Sequence, residues 1–202
     1  MTDSTRGIGT LAPILVTILW IGLAVSCIES IVGAAELAGS SLPGFSKATS
    51  LFQSIVIVAL VLLIVTYFIF GRWIWLASKN LWDRDIQGLE FSPASCIWWY
   101  AVPVANLFKP FQAMREIWNA SLGEDGAFAA DTPDTLRYWW GFWIGSAMLG
   151  NLSYRLPEPG STTMLVLSAI LDIALYWFAI KLVRTITKAQ TSGITGLAEI
   201  FS

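Results

Sequence analysis

Three polar side chains, Glu29, Asn151 and Asp172, lie inside otherwise apolar stretches of the chain. An ionisable group at membrane depth is costly, and by default it marks an ion, proton or polar packing site. Counting ~1.5 Å per helical residue from the ends of the apolar runs puts all three within ~9–14 Å of one boundary. They can therefore form one polar layer. Glu29 shares a helical face with Gly22, Ser26 and Gly33, because residues three, four and seven apart are neighbours on a helix. Small residues on such a face let helices approach closely in a membrane, so Glu29 is expected to point at other helices rather than at lipid. No lysine or arginine lies at that depth; Arg155 is the nearest, about one turn outward from Asn151. Two facing carboxylates in a dry site are expected to share a proton. The arrangement is then either a hydrogen-bonded packing contact or a cation or proton site. Packing is preferred, since the chain has no internal repeat and no second broken span of the kind transporters use. A further acid, Glu36, is expected at the interface.

Other chemistry is sparse. Histidine is absent, which removes the commonest general base and the usual zinc and haem ligand. There is no GxSxG elbow, HExxH, CxxC or phosphate loop, and "WDRD" (Trp82–Asp85) reads as a solvated loop. Cys27 and Cys96 lie in apolar stretches and are expected as buried small hydrophobes. No catalytic residue, cofactor or metal site follows, and no basic-aromatic stripe points to nucleic acid.

The elements that must position the polar layer are membrane helices. The 202-residue chain is 55% hydrophobic and 13% charged, about half the charged share of an ordinary soluble domain. Leu51 to Phe70 carries no charge, and about twenty apolar residues span a bilayer. Four spans are expected, about 11–37, 51–75, 138–156 and 163–185, with "GSSLPG" (39–44) and "LPEPG" (156–160) as turns between them. "LAVSC" (23–27) loosely resembles a lipoprotein cleavage box, but the apolar run is long for a signal core and the first helix is expected to be retained.

The segment 91–118 decides the topology. If 94–108 crosses, five positive residues face seven across the membrane. If it does not, Arg6, Arg72, Lys79, Arg84, Lys109, Arg115, Arg137, Lys181, Arg184 and Lys188 share one side, opposed by Lys47 and Arg155 alone. Positive charge concentrates on the cytoplasmic side, which favours four spans with both termini inside. A helix over 94–108 would reach only ~22 Å of a ~30 Å core, and Pro103 would break it. The expected fold is all-α: four transmembrane helices with a re-entrant or interfacial hairpin, about 91–118, between the second and third. In the re-entrant form the bundle wraps Pro103 and Asn106, Asn106 bonds freed carbonyls, and Lys109-Pro110 marks the exit. Residues 111–121 then leave as an amphipathic surface helix. Trp98, Trp99, Trp139, Trp140 and Trp143 belong to a tryptophan belt on the cytoplasmic half, suited to lipid or to a partner. "GFWIG" (141–145) adds a small-residue face able to dock a helix.

"GLEFSP" (88–93), "WWY" (98–100) and "PVANLFKPFQAMREIWNAS" (103–121) together resemble the signature of a bacterial membrane family catalogued as domain of unknown function family 4328. The resemblance covers roughly 55–188. Lys109 and Phe111 stand where the family pattern has arginine and tyrosine. It implies a multi-pass protein of the bacterial inner membrane and carries no activity. From the residues themselves we expect a non-catalytic accessory or scaffold subunit of a larger membrane complex. Its partners would be the lipid bilayer and a membrane protein or second copy. A small channel or transporter using the acidic layer is the alternative, and a membrane lipid enzyme has the least support.

Overall fold

A computed structural model of the chain describes residues 3–39, 48–122 and 132–200. Its elements are α1 (Asp3–Leu37), α2 (Ala48–Trp82), α3 (Ser95–Trp98), two 3₁₀ turns (Trp99–Ala101 and Ala105–Leu107), α4 (Lys109–Leu122), α5 (Asp134–Ser153) and α6 (Gly160–Ile200). There is no strand among the described residues. Three stretches are long and apolar enough to cross a membrane: Gly7–Leu37, Gln53–Trp82 and Gly160–Ser192. The expected span at 138–156 corresponds to α5, which is not among these three. Its helix ends at Ser153, where Arg155 and Leu156 donate their N–H groups to Leu152 and Ser153 in a closing turn.

Local sequence explains the helix ends. Gly39 takes a left-handed φ of 65° and donates its N–H to the Glu36 carbonyl, a cap that only glycine adopts without strain. At the start of α6 the Glu158 carboxylate accepts the Thr162 N–H at 3.2 Å, satisfying one orphan donor of the first turn. Pro13 lies inside α1; neighbouring groups make such prolines tolerable in membrane helices.

The chain divides into two compact units. The first comprises Met1–Thr17, Tyr67–Arg137 and Ile180–Ser202. Its core is close-packed and mostly aliphatic: Ile8 and Leu15 of α1, Trp73 and Ile74 of α2, Met114 and Ile117 of α4, Leu182 and Ile186 of α6 are all essentially inaccessible. The second comprises Ile18–Thr66 and Tyr138–Ala179. Its interior is unusually polar and small, with Ser26, Glu29, Thr66, Ser146, Ser153, Thr162 and Ser168 buried beside Leu19, Val32, Trp139, Val166, Ala169 and Tyr176.

Several expectations change here. Residues 109–122 do form an amphipathic helix, but not one lying on the surface. Only Arg115 and Leu122 of α4 are exposed, and Glu116, Trp118 and Asn119 are buried. The polar residues can be buried because they find partners inside the unit, as the Glu116 carboxylate does. The hairpin before α4 is not wrapped by the helices of its unit: Pro103 is exposed and Asn106 half-buried, its Oδ1 buried without a hydrogen-bond partner. Asn106 was expected to serve the freed carbonyls. Those of Val102, Pro103, Val104 and Ala105 instead accept the N–H groups of Asn106, Ala105, Leu107 and Phe108 at 2.8–3.1 Å. Part of the tryptophan belt is core, since Trp139 is buried.

Candidate functional site

Three helices build the polar interior of the second unit. On α1 the face Gly22–Ser26–Glu29 turns inward, and Ser26 and Glu29 are buried. A Cβ on Gly22 would lie 2.6 Å from the Tyr176 ring, so α6 approaches α1 at a distance only glycine allows. Trp20 meets Trp177 edge to face at 5.9 Å. Asp172, one turn before Tyr176, is close enough to Glu29 to act on it electrostatically. The residue order of these contacts shows α1 and α6 running antiparallel. On α5, a Cβ at Gly145 would come within 3.1 Å of Leu171, which brings the next residue, Ser146, onto α6.

Ser146 is the hinge of the site. Its hydroxyl donates to Asp172 Oδ1 at 2.5 Å and lies 3.1 Å from the Ser168 hydroxyl, which in turn reaches the Ser146 carbonyl at 3.1 Å. Ser146 and Ser168 are both buried. The result is a chain of polar groups, Ser168–Ser146–Asp172, with Glu29 facing its acidic end. Hydroxyls that donate to a carboxylate in a water-poor interior can stabilise a charge, a shared proton or a bound cation.

Of the three residues singled out from sequence, the structure brings Glu29 and Asp172 together and leaves Asn151 apart. Asn151 is exposed and spends its amide on its own helix, Nδ2 donating to the Ala147 carbonyl at 2.7 Å. Ser146 and Ser168 were not identified from sequence. Their signal is the i, i+4 pairing of Ser168 with Asp172 and the position of Ser146 between Gly145 and Gly150. Among the described residues no group of three or more Cys, Asp or Glu is placed to hold a metal ion.

The remaining candidates are distributed. Lys109 is half-buried, its Nζ 5.5 Å from the Phe91 ring centroid and 5.9 Å from that of Trp99, and Pro110 is buried. Trp98 is exposed, Trp139 is interior, and Trp140 stacks on Trp143 at 4.7 Å. Cys96 is buried, its Sγ 3.6 Å from Ser78 Oγ, and burial pushes its thiol up to about 11; Cys27 is half-buried.

Sequence reasoning also passed over two polar contacts of the first unit. Gln190, wholly inaccessible, accepts from Asn80 at 2.9 Å and donates to the Ala77 carbonyl and to Ser121 Oγ, while its own carbonyl receives Arg84 at 2.6 Å. Glu116 accepts the backbone N–H groups of Glu90 at 2.7 Å and Phe91 at 3.1 Å. Burial raises the Glu116 carboxyl above its ordinary range; the two N–H bonds oppose that rise and the nearby Glu90 charge adds to it.

Compared with known families, residues 44–188 match the one described as "Domain of unknown function (DUF4328)". No curated protein and no solved structure matches the chain.

Proposed function

The chain belongs to the DUF4328 family, and from that premise we propose that it is a non-catalytic membrane subunit, an accessory or scaffold component of a larger bacterial inner-membrane complex. The topology we propose has four spans and both termini in the cytoplasm. α5 supplies the fourth span. It pairs with α6 from Tyr138 and Phe142 against Phe178 to Ser146 against Ser168, and its 20 residues reach ~30 Å. α1 and α5 each run antiparallel to α6 in the second unit. In the first unit α2 runs parallel to α6, with Trp73 bonded to Thr187 and Asn80 to Gln190. That alternation fits four crossings, with 91–118 entering and leaving on one side.

Gly141 carries the subunit reading. It is exposed, and a Cβ built there meets nothing within 4 Å, whereas Gly22 and Gly145 are already covered by α6. Tyr138, Met148 and Leu152 are exposed on the same helix. α5 is also the span least suited to lipid by composition. A small-residue notch in the open face of such a helix is what a partner helix uses for close approach. Gly141→Leu is the test. The side chain has room, so folding and thermal stability should be unchanged, while co-purification with the partner subunit, or self-association in nanodiscs, should be lost. Association that survives Gly141→Leu counts against the proposal.

The Ser146–Asp172 bond and the facing Glu29 favour a second reading, a small cation or proton pathway. In that case Glu29→Gln abolishes cation- or pH-dependent thermal stabilisation, because a ligand stabilises only the form that binds it. A wild-type protein indifferent to pH 5–8 and to common cations would exclude it.

A further inference from the structure

Within the second unit α1 and α6 keep one antiparallel register. Trp20 meets Trp177, Gly22 meets Tyr176, and Glu36 and Thr162 line one cavity. A step forward on one helix is thus matched by a step back on the other. Two turns beyond Gly22 and on the same face, Glu29 stands level with Ser168 and Ala169. Ser168, Asp172 and Tyr176 recur at every fourth residue and share the opposing face of α6. Glu29 is therefore aimed at Ser168 and Asp172, and it is only 7% exposed. Among the described residues no donor reaches its carboxylate, and neither acid pairs with a lysine or arginine. Asp172 accepts from Ser146 at Oδ1 alone. A carboxylate so deeply buried must be neutralised by a proton or a cation.

The two ends of this site differ. Toward Trp20 it is closed, because the Tyr176 ring lies where a Cβ of Gly22 would stand and Trp20 packs edge to face on Trp177. Toward the other end Val32 stands level with Val166, and both are buried, a single apolar layer. Beyond that layer, ~10 Å from Glu29 along α1, lies a cavity of about 630 Å³ lined by Glu36, Gln53, Glu158 and Thr162. Glu36 Oε2 is buried there without a hydrogen-bond partner, and Glu158 Oε2 accepts the Thr162 N–H. Carboxylates lining a cleft with apolar walls raise the local concentration of cations.

We infer that Glu29, Asp172, Ser146 and Ser168 bind one hard monovalent cation of the sodium class, loaded from the Glu36–Glu158 cavity and held at a closed end. The donors are carboxylates and hydroxyls, with no imidazole or thiolate, which suits a hard cation rather than zinc or copper. Two hydroxyls and the carboxylate oxygens left free by the Ser146 bond are fewer ligands than the about 6–8 that calcium takes. Magnesium dehydrates reluctantly, and it would have to leave its waters at the Val32–Val166 layer. The bound ion holds α1 against α5 and α6 and neutralises buried charge. This rests on the cation reading of the site given above, but makes the ion a resident one rather than one in transit.

The test uses the purified full chain, in nanodiscs for binding and in sealed vesicles for flux. Sodium chloride should raise the melting temperature saturably, because a ligand that binds only the folded form stabilises it. Choline, calcium and magnesium chlorides at equal ionic strength should not. Radioactive sodium should bind as a single ion per chain, and Asp172→Asn and Ser168→Ala should each weaken that binding several-fold. Glu36→Gln, at the cavity, should slow sodium loading several-fold with the unliganded melting temperature unchanged, which keeps the test readable if an interior variant does not fold. A wild type without saturable sodium binding would overturn the site, and dissipation of a pH gradient by the same vesicles would then leave a proton pathway standing. Sodium uptake above that of protein-free vesicles would overturn the closed end and leave a cation pathway. Loading unchanged in Glu36→Gln would overturn the route through the cavity.

Discussion

Glu116 shows how one side chain can hold a loop and tune stability with pH. Its carboxylate accepts the N–H groups of Glu90 and Phe91, and replacing it with alanine leaves both donors without their acceptor, at a cost of about 1–3 kcal/mol. Burial raises its pKa in the folded chain above the ordinary 4.5. The native state therefore holds the proton more tightly than the unfolded chain. Its contribution is fully present below about pH 4.5 and is lost as pH rises through the raised value. Thermal melts should show a falling stability component across that window in the wild type, and the component should be absent in Glu116→Gln. At Gly22 the limit is steric. A Cβ would lie 2.6 Å from the Tyr176 ring, so Gly22→Ala should cost about 1–3 kcal/mol, while the same change at Gly141 should be close to neutral.

α4 is tied to its neighbours by polar contacts. Gln190 of α6 reaches Ser121 of α4 and Asn80 and Ala77 of α2 from a fully inaccessible position. Gln190→Leu removes these bonds in a space without water and should lower stability by about 3 kcal/mol. Lys188→Leu, on an exposed face of the same helix, should stay within about 0.5 kcal/mol. Thermal unfolding in one detergent compares the two, and equal effects would show that the contact around Gln190 does not hold the helices. The element-level failure of sequence reasoning has the same origin. Residues 111–121 read as an amphipathic surface helix because helical periodicity gives a side chain's direction, not what stands opposite it. Here α4 is covered on nearly every side.

For the whole molecule the decisive experiment is topological. Gln87 and Asp134 flank the segment that includes the hairpin and α4. Cysteines at the two positions should react with a membrane-impermeant maleimide from the same side of sealed vesicles. Reaction from opposite sides would make 91–118 a true span and remove the four-span topology. The polar layer also bears on the whole chain, because it decides between a packing contact and a pathway. Glu29→Gln should leave folding intact, since an amide replaces a protonated acid in hydrogen bonding. Glu29→Leu should destabilise by leaving polar neighbours unserved.

Composition alone pointed to long apolar helices compatible with a membrane protein, and α1, α2 and α6 carry the stretches long and apolar enough to cross one. Long uncharged runs have one low-energy fate in a bilayer, a helix that satisfies its own backbone. The signature residues from Gly88 to Ser121 placed the chain in its family, and the small-residue face of α1 indicated that Glu29 turns inward. What Glu29 meets was legible only in part: Asp172 could be inferred from depth, whereas Ser146 could not. Asn151 is exposed and bonds its own helix instead, because distance along an axis says nothing of rotation about it. The tip of the hairpin was likewise decided by tertiary structure. Two prolines told that the chain turns between α2 and α4, yet only the contacts of Trp82 with the Phe91 carbonyl and of Cys96 with Ser78 set where it packs along α2. Contacts between residues distant in sequence fix rotation and height, and no local pattern encodes them.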